Sequence, residues 1–228
     1  MLSLYMDRYY KDRLAADKLI KVYDLAPPRV QKYLDKEIEY VLGFISLNDF
    51  VLEMGCGYGR VLKYLTNKAH QVCGIDSSLA SLQSAKQYLK ESDNVTLYQM
   101  NADALGFENN SFDIVVCIQN GISAFHVDPV KLVEEMIRVT KPGGKILISS
   151  YSVKFWEHRL EWFCIQSEHG LLGEIDWSKT KDGNIVCKDG FTATTYTEDD
   201  FKNLMSNFNN KFSFTEVDNS SQFCVVEA

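Results

Sequence analysis

No CxxC pair, no spaced histidine cluster and no run of basic residues occurs anywhere in this chain. The first two absences exclude the usual zinc and iron–sulfur ligand spacings, so no metal site is expected. The third, with a net charge of −7 from 24 basic and 31 acidic residues, disfavours nucleic acid, which needs a concentrated basic surface. No apolar stretch approaches the ~20 residues that span a bilayer. The N-terminal MLSLYMDRYYKDRL has no uninterrupted apolar core of the signal-peptide kind. Several of the six cysteines fall in apolar, strand-like runs, where a thiol behaves as a small buried hydrophobe. These features lead to the expectation of a cytoplasmic protein with no membrane partner, a monomer or homodimer. With 46% hydrophobic residues over 228 positions, the chain suits one globular domain with a sizeable core.

What is present is an alternation. PPRVQKYLDKEIEYVLGFI places Val30, Leu34, Ile38, Val41, Leu42 and Ile45 on one helical face, opened by Pro27 and Pro28. Short apolar strands follow at 49–54, 70–76, 94–100, 112–118 and 145–151. Helical registers lie between them at 58–68, 78–90 and from Asp128 to the KPGG stop. Such alternation predicts parallel pairing with right-handed crossovers and helices on both faces. After 151 the pattern changes to an aromatic helix and a stretch with turn signals at Lys181-Asp182-Gly183 and Asp189-Gly190. A capped helix at 197–208 and two terminal strands complete it.

Residues 51–60, VLEMGCGYGR, join the first strand to a helix. The phosphate loop GxxxxGK[ST] is not met, because Arg60 follows Gly59 and no Lys-Ser comes after. The dinucleotide pattern GxGxxG is not met either, because its third glycine would be at 60. What stands there is an acid followed by GxGxG: Glu53, Gly55, Gly57, Gly59. The next strand ends in Asp76, 23 residues after Glu53, where a carboxylate can accept from ribose hydroxyls.

Five segments in order, VLEMGCGYGR, VCGIDSS, MNADALGF, FDIVVCI and RVTKPGGKILISS, resemble the class I S-adenosylmethionine-dependent methyltransferases, and more closely their type-11 small-molecule group. The likeness covers roughly residues 45–151, with a looser echo in FTATTYTEDDFKNLM. It implies an α/β, doubly wound, Rossmann-like sheet of seven mostly parallel strands ending in an antiparallel hairpin. Residues 1–45 would form a helical cover, 46–151 the cofactor core, 152–196 a substrate-side insertion with a small antiparallel element, and 197–228 the terminal helix and strands. It implies S-adenosylmethionine as cofactor and S-adenosylhomocysteine as product. By the same resemblance Glu53 supports the methionine ammonium, Gly55, Gly57 and Gly59 pass flush against the ligand, and Asp76 holds the ribose. Ser77, Asp103 and Ala104 would frame the adenine, and Gln119 with Asn120 would close over the methionine side.

The sulfonium is itself a strong electrophile, so the protein has chiefly to align an acceptor and exclude water; a general base is optional. No residue is singled out as the base. His126, whose ordinary pKa lies near neutrality, and Tyr10 are candidates. A small-molecule acceptor is expected beside the fourth and fifth strand ends, with Tyr9, Tyr10, His126, Tyr151, Trp156 and Arg159 as candidate contacts. Each has a packing alternative, since Trp156 and Arg159 also lie at helical spacing. Two other readings stay open: a catalytically inactive cofactor-binding partner of another protein, and an NAD-dependent oxidoreductase.

Overall fold

The computed structural model describes Tyr9 and residues 13–228. Tyr10 lies outside the described residues. Elements follow in chain order as α1 (Asp17–Asp24), α2 (Pro28–Leu42), β1 (Phe50–Met54), α3 (Leu62–Leu65), β2 (Gln71–Asp76), α4 (Leu79–Tyr88), β3 (Val95–Gln99) and β4 (Phe112–Cys117). Then come α5 (Gly121–Ala124), α6 (Pro129–Val139), β5 (Thr140–Tyr151), a 3₁₀ turn (Val153–Phe155), α7 (Trp156–Glu168), β6 (Asn184–Val186), β7 (Thr192–Thr194), α8 (Glu198–Met205), β8 (Phe212–Val217) and β9 (Ser221–Glu227).

The strands form one seven-stranded sheet in the order β3-β2-β1-β4-β5-β9-β8. β1, β2, β3, β4 and β5 pair in parallel, and β9 runs antiparallel to both β5 and β8. This is the Rossmann-like arrangement with its antiparallel terminal pair. The order reverses between β1 and β4, so the crevice at their carboxyl ends is where such sheets bind ligands.

The buried face of α6, with Leu132, Val133 and Met136, packs on one side of the sheet together with Phe201 and Met205 of α8. Ile38 and Val41 of α2, Leu62 and Leu65 of α3 and Leu82 of α4 pack on the other. A third apolar cluster lies beyond the strand ends. It joins Val22, Val30, Tyr33 and Leu34 to Tyr151, Phe155, Trp162 and Phe163, and to Phe191 of the β6–β7 excursion.

Local chemistry sets the boundaries. Asp128 accepts from the Val130 N–H at 2.9 Å with Pro129 in the first turn of α6. Thr197 and Asp200 form a reciprocal capping box on α8. Two expectations needed correction. The helix sought at 58–68 shrinks to Leu62–Leu65, because Gly59 adopts φ +89° and holds the preceding residues in a turn. KPGG is a bulge within β5 rather than a lead into it: Thr140 pairs Phe112, and pairing resumes at Ile114–Lys145. A Cβ at Gly144 would stand 2.6 Å from the Asp113 carbonyl oxygen.

Candidate active site

A cavity of about 440 Å³ opens at the carboxyl ends of β1, β2 and β4 and runs beneath α1, α2 and α7. Its size is that of an ordinary small-molecule site.

One end is built by the glycine turn and the strand ends. Gly55 and Gly57 have φ of +72° and +53°; added Cβ atoms would lie 2.5 Å from the Phe125 ring and 2.7 Å from Leu19. Both conformation and space therefore require glycine. The Gly57 N–H donates to Asp76 Oδ2 at 2.9 Å, and the Ser78 N–H donates to Asp76 Oδ1 at 2.8 Å. One carboxylate thus ties the glycine turn to the start of α4 while each oxygen keeps a lone pair for another donor. Burial raises the Asp76 pKa and these two N–H groups oppose the rise. Ser77 and Asp103 line the same end.

Glu53 stands at the floor. Its side chain is 5% exposed, and Oε2 is buried with no hydrogen-bond partner. Burial pushes its carboxyl up to about 8, against the pull of Arg60 and with the help of Asp76. An unmet carboxylate oxygen beside a backbone cradle calls for a cationic donor. Gln119 borders it in the left-handed region, φ +56°, followed by Asn120 at +62°. A non-glycine pair held there is the kind of strain that clusters at functional sites. The Gln119 N–H is shared between Glu37 Oε2 at 3.0 Å and Ser149 Oγ at 2.9 Å. Its side-chain oxygen accepts from the Tyr23 hydroxyl at 3.0 Å, leaving Nε2 buried and unpartnered.

The residues at this end fit S-adenosylmethionine: Oε2 of Glu53 for an ammonium, lone pairs of Asp76 for sugar hydroxyls, and bare backbone at Gly55 and Gly57. Three other residues of the expected set stand off the cavity. Gly59 faces Leu89 and Ala85. Ala104 is exposed and bridges Asn101. Asn120 is buried and its side-chain oxygen accepts from the Ser150 hydroxyl at 2.7 Å.

At the other end the acceptor-side expectations need more correction. Tyr151 lines the cavity, but Trp156, Arg159 and His126 do not. Arg159 is 1% exposed, and its Nη atoms donate to the Gly183 carbonyl, Thr195 Oγ1 and the Ala193 carbonyl at 2.8, 2.6 and 2.8 Å. It pins the β6–β7 excursion to α7, with its guanidinium 4.3 Å from the Tyr151 ring centre. Trp156 packs against the third apolar cluster. His126 has φ +52° between Phe125 and Val127, which do line the cavity. Tyr9 is buried away from it, donating to Asp189 Oδ2 at 2.8 Å.

Sequence reasoning passed over Tyr33 and Glu37. Both are fully buried on α2, in the Val30-Tyr33-Leu34-Glu37-Ile38-Val41 stripe. The signal was there: a Glu at a core position of an otherwise apolar face. Burial pushes the Glu37 carboxyl up to about 7, opposed by the neighbouring Ser149 and Ser221 hydroxyls, the Gln119 N–H and the charge of Arg60. Among the described residues no cluster of His, Cys, Asp and Glu could hold a metal ion.

Comparison with known proteins agrees with this layout. Residues 52–148 match a family model described as a methyltransferase domain. The ubiquinone biosynthesis O-methyltransferase of Idiomarina loihiensis is 35% identical over 124 residues, 49% of this chain and 50% of that protein. The malonyl-(acyl-carrier protein) O-methyltransferase of a Marinomonas species is 31% identical over 145 residues, 59% and 52% of the two chains. This chain therefore spans about half the length of the curated relatives it matches. The PH0226 protein of Pyrococcus horikoshii superposes with a TM-score of 0.66, over 96% of this chain and 97% of that one. At 20% identity that likeness concerns the fold.

Proposed function

We propose that this chain, which belongs to the class I S-adenosylmethionine-dependent methyltransferases, binds S-adenosylmethionine along the ends of β1, β2 and β4 and methylates a small molecule in the far end of the same cavity. The observation that carries the reading is the buried, unpartnered Glu53 Oε2 beside the Gly55–Gly57 cradle. When bound, the cofactor would supply a methyl on positively charged sulfur, to whose carbon an acceptor lone pair would bond as the C–S bonding pair stays on sulfur and S-adenosylhomocysteine leaves.

The protein's part is binding and alignment. Asp76 accepts from the ribose hydroxyls, Ser77 and Asp103 flank the base, and Glu53 takes the ammonium. Gln119, through Nε2, donates to the carboxylate of the amino-acid tail. Leu14, Leu19 and Val22 wall the cavity from the N-terminal side and exclude water from the reacting centre. The names of the two relatives favour an oxygen as the methylated atom. Six free cysteines, five of them buried, fit a reducing compartment, and no helix among the described residues is long and apolar enough to cross a membrane.

Thermal unfolding with S-adenosylmethionine, S-adenosylhomocysteine and NAD tests this. A ligand at 100 times its Kd adds about 2.7 kcal/mol, roughly 5–10 °C for a chain this long. The first two ligands are expected to stabilise and Asp76→Ala to weaken the effect. Stabilisation by NAD alone refutes the reading. Tight binding without production of S-adenosylhomocysteine from any acceptor points to an inactive partner instead.

A further inference from the structure

We infer that the far end of the cavity takes an uncharged flat ring bearing an oxygen, and that Tyr33 is the residue that reads that oxygen. The inference rests on the methyl-transfer reading only for calling this ligand the acceptor; the chamber and its hydroxyl stand on their own.

The chamber is walled by Tyr33 and Leu34 of α2, Tyr151 at the end of β5, and Trp162, Phe163 and Gln166 of α7. The rings stand close. Tyr33 and Tyr151 have centroids 5.3 Å apart, and Trp162 lies 6.0 Å from Phe163 and 6.1 Å from Tyr23. Walls made of ring faces and edges match a flat ring better than a branched aliphatic chain, since offset and edge-on contacts between rings add to simple burial.

Two of the polar side-chain atoms around this aromatic body are engaged within the protein. Trp162 Nε1 donates to the Val22 carbonyl at 3.0 Å, and the Tyr23 hydroxyl donates to Gln119. Tyr33 is 0% exposed, lines the chamber, and its hydroxyl makes no hydrogen bond of full geometry, with only a weak approach to the Tyr151 hydroxyl beside it. A buried hydroxyl left unmet is destabilising, and a phenylalanine there would avoid the loss. The hydroxyl is explained if a ligand supplies the partner. Burial, with Glu37 and Tyr151 beside it, drives the Tyr33 pKa well up, so the group stays an O–H donor. A donor needs a ligand lone pair, and a phenol or ring carbonyl provides one.

Charge narrows the class. None of the six wall residues carries a charge, and the guanidinium packed against the Tyr151 ring is engaged with backbone carbonyls and Thr195. A carboxylate or phosphate on the ligand would lose its water against rings, with no counter-charge on the walls. The acids of the cavity, Glu53, Asp76 and Asp103, all belong to its cofactor end.

The test measures binding of catechol, benzoate, benzylamine and cyclohexanol to the full chain by calorimetry, each with and without S-adenosylhomocysteine. Catechol is expected to bind best. Tyr33→Phe is expected to weaken catechol about 5–10-fold, the effect of losing one hydrogen bond, and to leave S-adenosylhomocysteine unchanged. That unchanged affinity also reports that the variant is folded. Leu34→Trp, which fills the chamber, is expected to block catechol alone. The inference is overturned if Tyr33→Phe binds catechol as the wild type does, or if benzoate, benzylamine or cyclohexanol binds as tightly as catechol. Tyr33-dependent catechol binding without any binding of S-adenosylhomocysteine keeps the chamber and removes the methyl-transfer reading. Binding of S-adenosylhomocysteine with Tyr33-independent catechol binding does the reverse.

Discussion

Replacing Glu37 with glutamine should make the protein more stable at alkaline pH, and by an amount that can be worked out. Glu37 is fully buried on α2, and its carboxyl is pushed from an ordinary 4.5 to about 7. Burial is the main cause; the Ser149 and Ser221 hydroxyls, the Gln119 N–H and the charge of Arg60 all oppose it. The fold therefore binds the Glu37 proton more tightly than the unfolded chain does. Stability from this group is complete below pH ~4.5 and is lost as pH rises through about 7. A difference of ~2.5 units at ~1.36 kcal/mol per unit gives about 3 kcal/mol in all, of which about 2.5 kcal/mol falls between pH 5 and pH 8.5. Glutamine has nearly the same shape, cannot ionise, and keeps an oxygen for the Gln119 N–H. The groups facing this position are Arg60, Tyr23, Tyr33, Tyr151 and Cys117, and the substitution leaves all of them in place. Urea unfolding of both proteins at pH 5, 6, 7 and 8.5 should show the difference in stability growing in favour of Glu37→Gln with pH. A difference that stays constant to within ~0.5 kcal/mol, the usual scatter of surface changes, refutes the claim that burial governs this carboxyl.

Glu53 gives the corresponding prediction for the ligand. Its carboxyl is raised to about 8, so binding an ammonium must first release the proton. Affinity for S-adenosylhomocysteine should rise from pH 6.5 to 8.5, and Glu53→Gln should bind weakly and without that slope; calorimetry in two buffers of different ionisation heat reads the released proton. Gly57→Ala places a Cβ 2.7 Å from Leu19 at φ +53° and should weaken the cofactor at least tenfold, with ~1–3 kcal/mol lost in stability; unchanged binding would show that the turn does not approach the ligand. Asp189 accepts from the Tyr9 hydroxyl at 2.8 Å and Arg13 Nη1 at 2.9 Å. It thereby ties the segment that leads into Leu14 and Leu19, both on the cavity wall, to the β6–β7 excursion. Asp189→Ala should speed S-adenosylhomocysteine dissociation about 3–10-fold, measured by stopped flow, and an unchanged rate would remove the tie from the binding account.

The sheet was legible because strand and helix periods alternate cleanly and because turn chemistry punctuates them. Asp128-Pro129 and Thr197 act where the sequence placed them. The bulge at Lys141–Gly144 was not legible, since a helix stop and a strand bulge draw on the same Pro-Gly-Gly chemistry and only the pairing partner Asp113 separates them. That the glycine-turn end of the cavity would be lined by residues at the strand ends was readable for a physical reason. Glu53, Gly55, Gly57, Asp76, Ser77, Asp103 and Gln119 lie on or just after strand ends, and their placement depends on local backbone. The acceptor end was not, because its residues meet only through tertiary packing. Arg159 looked like a ligand contact in one dimension, but three backbone and hydroxyl partners from residues 183–195 engage it. Glu37 had a signal, an acid at a core position of an apolar face, whereas burial alone sets Tyr33 apart from an ordinary member of that face.

This division follows the line where the family likeness stops. The cofactor-end residues lie within the matched stretch 52–148, whereas the chamber draws Tyr33 and Leu34 from before it and Tyr151, Trp162, Phe163 and Gln166 from after it. The two flanks close on each other rather than on the core alone: Trp162 reaches the Val22 carbonyl, Tyr33 stands 5.0 Å from Phe155, and the Arg29 guanidinium lies 4.8 Å from that same ring. Likeness in the core therefore argues for the cofactor and is silent on what receives the methyl. The two halves are nonetheless joined at one residue. Gln119 lies within the matched stretch, yet its N–H meets Glu37 of α2 and its side-chain oxygen meets Tyr23 of α1. Gln119, held in the left-handed region and gripped from α1 and α2, lines the cavity, so the packing of those two helices also fixes how its amide is presented there.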